Sequence, residues 1–191
     1  MLSPIIYTVM WILGGILQED YSHVRDDVSS LLAVDAPNKQ LFDKFLITSS
    51  VLLFVFYSGL HWGVNNGEGS IVGPVLFLTS SILGILVALF FPLDAGGEIV
   101  TTRGKMHLVL VMISGILTIA GMVALWFRLE SVADWSAFAS FSLITSIVAL
   151  ILVVFSGISV KTNFMGLVER VAVSTYQVYY FVLALMVFLF N

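Results

Sequence analysis

Cysteine is absent from this chain, which removes disulfides, thiolate metal sites and cysteine nucleophiles. Charge is scarce as well. Asp, Glu, Lys and Arg make up 10% of the 191 residues, where soluble domains carry about a quarter. The formal net charge of −4 gives no basic patch, which argues against nucleic acid as a partner. The N-terminus MLSPIIYTVMWILGGILQED has no basic segment ahead of its apolar run and no small-x-small cleavage site, so it reads as a retained span rather than a secretory leader. Neither an HExxH zinc motif nor a GxSxG nucleophile elbow occurs, and Ser22, Ser29 and Ser30 beside His23 read as capping residues rather than a hydrolase nucleophile. Ionisable residues deep inside the apolar runs are also missing, apart from His61 near one end, which ranks a transporter or ion-conducting reading lower.

What remains is apolar: 59% of the chain is hydrophobic, more than a soluble fold can cover, so part of the solvent is lipid. Six charge-free apolar runs span residues 2–17, 45–64, 71–91, 108–127, 135–160 and 171–190. A helix rises 1.5 Å per residue, so about 20 residues cross a ~30 Å hydrocarbon core. Five runs reach that length; the first has sixteen residues, with Gln18 and Tyr21 placed to extend it to the interface. Backbone groups in lipid are satisfied internally, which makes these runs helices, and no strand-like alternation of polarity competes. The pattern predicts an all-α membrane protein: one domain over 1–191, a bundle of six transmembrane helices with a polar loop cap on one face.

The connections divide into two kinds. Loops 18–44, 92–107 and 161–170 are polar and fall on one face of a six-span bundle; the short loops 65–70 and 128–134 fall on the other. The first loop is the richest, holding nine of the twenty charged residues between positions 19 and 44. Trp62, Trp126 and Trp135 sit on the opposite face, as an aromatic belt does, and His61 beside Trp62 reads as an interfacial histidine. The charged face holds Arg25, Lys39, Lys44, Arg103, Lys105, Lys161 and Arg170 against Arg128 alone opposite, which places the charged loops in the cytoplasm of a multi-pass plasma-membrane protein. Small residues recur at Ser80, Gly84 and Ala88, at Ala120 and Ala124, and at Ser142, Ser146 and Ala149; these faces read as packing seams, not as a pore lining.

The charged face gathers Asp20, His23, Asp26 and Asp27 from the first loop, Asp94, Glu98, Arg103 and His107 from the second, and Glu169 and Arg170 from the third. The first-loop spacing of three or four would put its members on one side of a helix. Histidines and carboxylates converging at an interface suit a divalent metal, with His23, Asp26 and His107 as ligands. They equally suit acid–base work, with Asp94 and His107 as the catalytic pair. The plainer alternative is a structural cap of salt bridges over the helix ends. In the sixth run, Tyr176, Gln177, Tyr179 and Tyr180 form a polar stripe; interhelical hydrogen bonds, to the Ser/Thr-rich fifth run among others, are the preferred reading, and a head-group contact the alternative.

YSHVRDDVSSLLAVDAPNKQLFD resembles the first loop of the bacterial and archaeal membrane family called domain of unknown function 998, through Tyr21, Ser22, Ser29, Leu31, Ala36, Pro37 and Asn38; Ser30 stands where the family often has glutamate. FPLDAGGEIVTTRGKMH resembles its second motif through Phe91, Pro92, Asp94, Thr102, Gly104 and His107, and GLVER its third through Gly166, Glu169 and Arg170. The resemblance implies an integral membrane protein of six helices and no established reaction. Similar layouts occur, distantly, in eukaryotic proteins linked to lipid remodelling and autophagy. All three motifs fall on the face selected by charge, which gathers Asp94, His107, Glu169 and Arg170 into one expected site.

The leading expectation is therefore binding or processing of a lipid head group or small amphiphile at a polar interfacial site. Asp94 and His107 would do the chemistry, and Arg103, Glu169, Arg170, Tyr21 and Ser29 would bind the ligand. The expected partners are the bilayer and that ligand, with a divalent metal as an open possibility for a cofactor and the oligomeric state open. A small transporter and a non-catalytic scaffold or complex subunit are the alternatives.

Overall fold

The computed structural model describes residues 1–160 and 162–190; Lys161, counted above among the cations of the charged face, lies outside them. Six α-helices follow one another: α1 (Leu2–Leu17), α2 (Lys39–Gly63), α3 (Val72–Phe90), α4 (Thr102–Leu129), α5 (Ser136–Ser159) and α6 (Met165–Leu189). The described residues contain no strand. Helices α2 to α6 are long and apolar enough to cross a membrane, and α1 is a shorter apolar helix.

Local chemistry sets the ends. Pro4 and Pro74 lie in the first turns of α1 and α3, where a missing N–H costs nothing. Helix α3 stops two residues before Pro92, which disfavours helical geometry in the residue ahead of it. Thr101 caps α4, its Oγ1 accepting from the Gly104 amide at 3.2 Å. Helix α2 begins at Lys39 and α6 at Met165, each six residues before its apolar run, because a helix continues through the interface where hydropathy has already turned polar. In α2 that overhang is stapled by Lys39–Asp43, an i,i+4 pair at 2.5 Å.

Each helix packs on its neighbours in sequence, and α6 closes back on α1, so the six form a ring. Large apolar side chains such as Ile12, Val55, Leu89, Ile116, Ile151 and Phe188 point outward and stay exposed, the arrangement that suits lipid as solvent. Small residues seat the helices. On α5, Ser142, Ser146 and Ala149 are buried. The Ser142 hydroxyl reaches Met122 O on α4 at 2.9 Å and Tyr179 Oη on α6 at 2.7 Å. Such bonds contribute about 0.6 kcal/mol each in a bilayer.

Two apolar clusters lie at opposite ends of the ring. At the end of the short loops, Tyr57, Leu60, Phe77, Met122, Leu125, Trp135, Phe138, Tyr179 and Leu183 form a dense core. Trp135 is therefore a core residue, 3% exposed, not a member of an aromatic belt; Trp62, at 67% exposed, keeps the belt position. Arg128, buried at this end, ties down the 64–71 loop. Its guanidinium donates to Glu68 O, Ser70 O, His61 O and Val64 O at 2.7–3.1 Å, and to His61 Nδ1 at 3.3 Å. At the other end, Val28, Leu31 and Leu32 from the first loop drop between Met10 on α1 and Phe42 on α2.

Candidate ligand-binding site

The polar end is built around the first loop. Residues 20–27 form turns, with one 3₁₀ turn following at Ser29–Leu32, so Asp20, His23, Asp26 and Asp27 do not share a helix face as their spacing suggested. The loop is bonded across the ring. Gly166 and Leu167, in the first turn of α6, donate their otherwise unpaired amides to Arg25 O and Val24 O. Val34 N donates to Leu93 O, and Gly96 N to the Asp35 carboxylate, joining the first loop to the second. Gly166 permits this approach, since a Cβ there would strike the backbone of Asp26.

Arg170 is the anchor of this cap. It is 5% exposed. Nη1 donates to His23 O, Asp26 O and Gly166 O at 2.7–2.9 Å, and Nη2 to Tyr21 Oη. The rings of Trp11 and Tyr21 lie about 5.5 Å from its guanidinium carbon, within cation–π range. Tyr21 in turn donates to Asp27 O at 2.7 Å, and burial pushes its phenol up to about 12. Both residues offered as ligand contacts thus hold the loop. Burial, with the nearby Arg170 charge, keeps the His23 pKa below its ordinary value; the ring stands edge-on to Trp11 and Tyr21. Asp26 pairs with Arg25 at 2.8 Å and accepts from Ser22 N; the Arg25 hydrogen bond holds its carboxyl below the usual range.

Asp94 organises the second loop. Its carboxylate accepts from Thr101 Oγ1 at 2.6 Å, Thr101 N at 2.7 Å, Val100 N at 2.9 Å and Arg103 Nη2 at 3.3 Å. These bonds, Thr101's first, lower its pKa to about 2. A carboxylate so committed is a feeble base. The pair Asp94 and Arg103 completes the start of α4, and among the described residues no hydrogen bond links Asp94 to His107.

His107 is buried, and its Nδ1 lies 2.7 Å from Phe91 O. A carbonyl only accepts, so Nδ1 carries the proton and Nε2 is left as an acceptor. His23, Asp26 and His107 are not brought together: among the described residues no group of three or more histidine and carboxylate side chains is placed to hold a metal ion.

His107, Glu169 and Ser29 do converge, on a cavity of about 260 Å³ enclosed by α1, α2, α3, α4 and α6. It runs from Leu32, under the cap, down to Tyr57, above the dense core. Glu169 accepts from the Val28 amide at 2.6 Å. The remaining walls include Tyr7, Ser49, Ser50, Ser80, Ser81, Ser114, Thr118, Tyr176, Gln177 and Tyr180. Sequence reasoning missed most of these. The signal is the Ser and Thr scattered within the apolar runs; of those on the cavity wall only Ser80, with Gly84 beside it, is placed in a packing seam above. That reading holds for Ser80, bonded to Ser114 and Thr118 at 2.8 Å, and it fails for Gly84, which lines the cavity and where a Cβ would meet nothing within 4 Å. The α6 stripe divides likewise. Tyr179 bonds to α5 as expected, while the Tyr176 hydroxyl and the Gln177 carbonyl oxygen are buried with no partner among the described residues.

An all-helical chain with five membrane-length apolar helices and a sixth shorter one is a multi-pass membrane protein by length and composition. It matches the family described as Protein of unknown function (DUF998) over residues 1–186, and it belongs to that family. No curated protein and no solved structure matches it.

Proposed function

We propose that the protein binds the polar head of a lipid or a small amphiphile in the central cavity, beneath the first-loop cap. In this reading the whole chain is one six-span domain of the plasma membrane. Helix α1, sixteen residues long and so about 24 Å, crosses with help from the interfacial residues that follow it. The cap faces the cytoplasm, where the excess of Lys and Arg puts it. The supporting observation is the cavity itself. Polar side chains at membrane depth are costly unless they satisfy one another or a ligand, and here Tyr176 and Gln177 point to a missing partner. Binding is favoured over turnover because Asp94 is spent on the loop; any processing of the ligand would fall to His107 Nε2.

Filling the cavity tests this. Gly84→Leu projects into open space and gains about 0.8–1 kcal/mol of helix propensity over glycine. Native mass spectrometry of the purified protein should find a co-purifying lipid on the wild type and little on Gly84→Leu, with the variant melting at or above the wild-type temperature. An unchanged lipid complement in the variant overturns the reading.

A transporter reading has one observation in its favour. A second pocket of about 260 Å³ near the N-terminus of α1 shares Leu53 and Tyr180 with the cavity wall. Movement of the bound lipid between leaflets of proteoliposomes separates the two readings: a binder leaves that rate at the level of empty vesicles.

A further inference from the structure

We propose that the ligand head is an organic cation, an amine or quaternary ammonium, with Glu169 as its counter-ion. This rests on the cavity being a ligand site and adds the class of ligand.

The charge on the cavity wall points this way. Among the described residues neither lysine nor arginine lines the cavity, and Glu169 forms no ion pair. Arg170, its neighbour in sequence, is not among the residues that line the cavity, and both its Nη atoms donate to the cap, to the carbonyls of His23, Asp26 and Gly166 and to the Tyr21 hydroxyl. Asp27 lies within electrostatic reach of both His107 and Glu169. Of these three groups beside the cavity two are carboxyls, Glu169 and Asp27, and one is the guanidinium of Arg170. His107 adds an acceptor there, since its N–H is taken by Phe91 O.

Isolated carboxylates in a low-dielectric site cost several kcal/mol, and an incoming ammonium offsets that cost. Aromatic rings supply the rest of the environment. Tyr7, Tyr57, Tyr176 and Tyr180 stand on the same walls, and tyrosine faces attract ammonium groups through the ring quadrupole. A phosphate or carboxylate head would meet Glu169 with no cation on the wall to balance it.

The test uses full-length protein in an uncharged maltoside micelle, with thermal stabilisation as the readout. The probes are decyltrimethylammonium, decanol, decanoate and tetramethylammonium. Wild type should bind decyltrimethylammonium about tenfold more tightly than decanol. Glu169→Gln retains an acceptor oxygen for the Val28 amide; it should lose that preference, the cation and the alcohol then binding alike. Tyr176→Leu should reduce the preference for the cation over decanol, and Tyr176→Phe should keep it, because phenylalanine retains the ring face that attracts an ammonium. Tetramethylammonium binding as tightly as the decyl probe supports the cation class and assigns a soluble amine as its source; a requirement for the decyl chain supports the class and assigns a lipid. Equal binding of cation and alcohol, or preference for decanoate, overturns the cation proposal while the amphiphile cavity stands. Failure of every probe, in wild type and variants alike, overturns the cavity as a ligand site and this proposal with it.

Discussion

Four donors converge on the Asp94 carboxylate from Val100, Thr101 and Arg103. Its role is to fix the turn that starts α4, where the helix dipole favours a negative charge. The consequence is a signed dependence on pH. The folded pKa of about 2 lies below the ordinary 3.8, so the ionised form is the one the fold prefers. The stabilisation is complete above about pH 4 and is lost as pH falls toward about 2. Asp94→Asn puts an amide N–H against backbone donors that need acceptors. The variant should melt below wild type at neutral pH, and the gap should close progressively below about pH 4. Thermal midpoints across that range check it; a variant that melts with wild type at neutral pH removes Asp94 from this role. His107 shows the complementary case: one ring nitrogen is tied to Phe91 O, and the other stays available to the cavity.

Among the elements, the 18–38 loop matters most, because it closes the cavity with Leu32 and Ser29. It docks where α1 lacks side chains. A Cβ at Gly15 would run into the His23 imidazole. Gly15→Ala should therefore destabilise the cap by about 1–2 kcal/mol, overpacking outweighing the helix propensity that alanine gains. His23→Ala should be milder, and in the Gly15→Ala background it should restore most of the loss, a coupling of at least about 1 kcal/mol. Unfolding in mixed micelles and protease cleavage within the loop both read this; strictly additive effects would show that the two residues do not meet. The same loop marks where sequence reading ran out. Apolar runs foretold every helix, because lipid leaves the backbone no other way to pair its N–H and C=O groups. The ends of α2 and α6 escaped, since a helix overhanging into water carries no hydropathy signal. The loop fold escaped because it is dictated by Arg170 and Glu169, more than 130 positions away. His107, Glu169 and Ser29 were legible as polar residues on one face. The cavity behind them was not, since it is assembled from single Ser, Thr and Tyr residues on five helices.

For the whole molecule, the ring closed by α1 against α6 makes the fate of α1 decisive. If α1 crosses, the first loop lies at the same end as the second and third, as the bonds from Val24 and Arg25 to α6 and from Val34 to Leu93 require. Should α1 instead lie flat in the interface, the chain would have five spans, and Leu2 and Glu19 would share a side. The absence of cysteine makes this directly measurable, since each introduced thiol is the sole target of a membrane-impermeant maleimide. Leu2, Glu19, Asn66, Glu98 and Glu130 are all exposed and suit single replacement by cysteine. In intact cells Leu2→Cys, Asn66→Cys and Glu130→Cys should label, while Glu19→Cys and Glu98→Cys should label only after permeabilisation, in keeping with the bias of Lys and Arg toward the capped end. Complete inversion of that pattern would keep six spans and turn the cap outward, against the charge rule. Labelling of Leu2→Cys together with Glu19→Cys would overturn the crossing of α1, and with it the closed ring that walls the cavity.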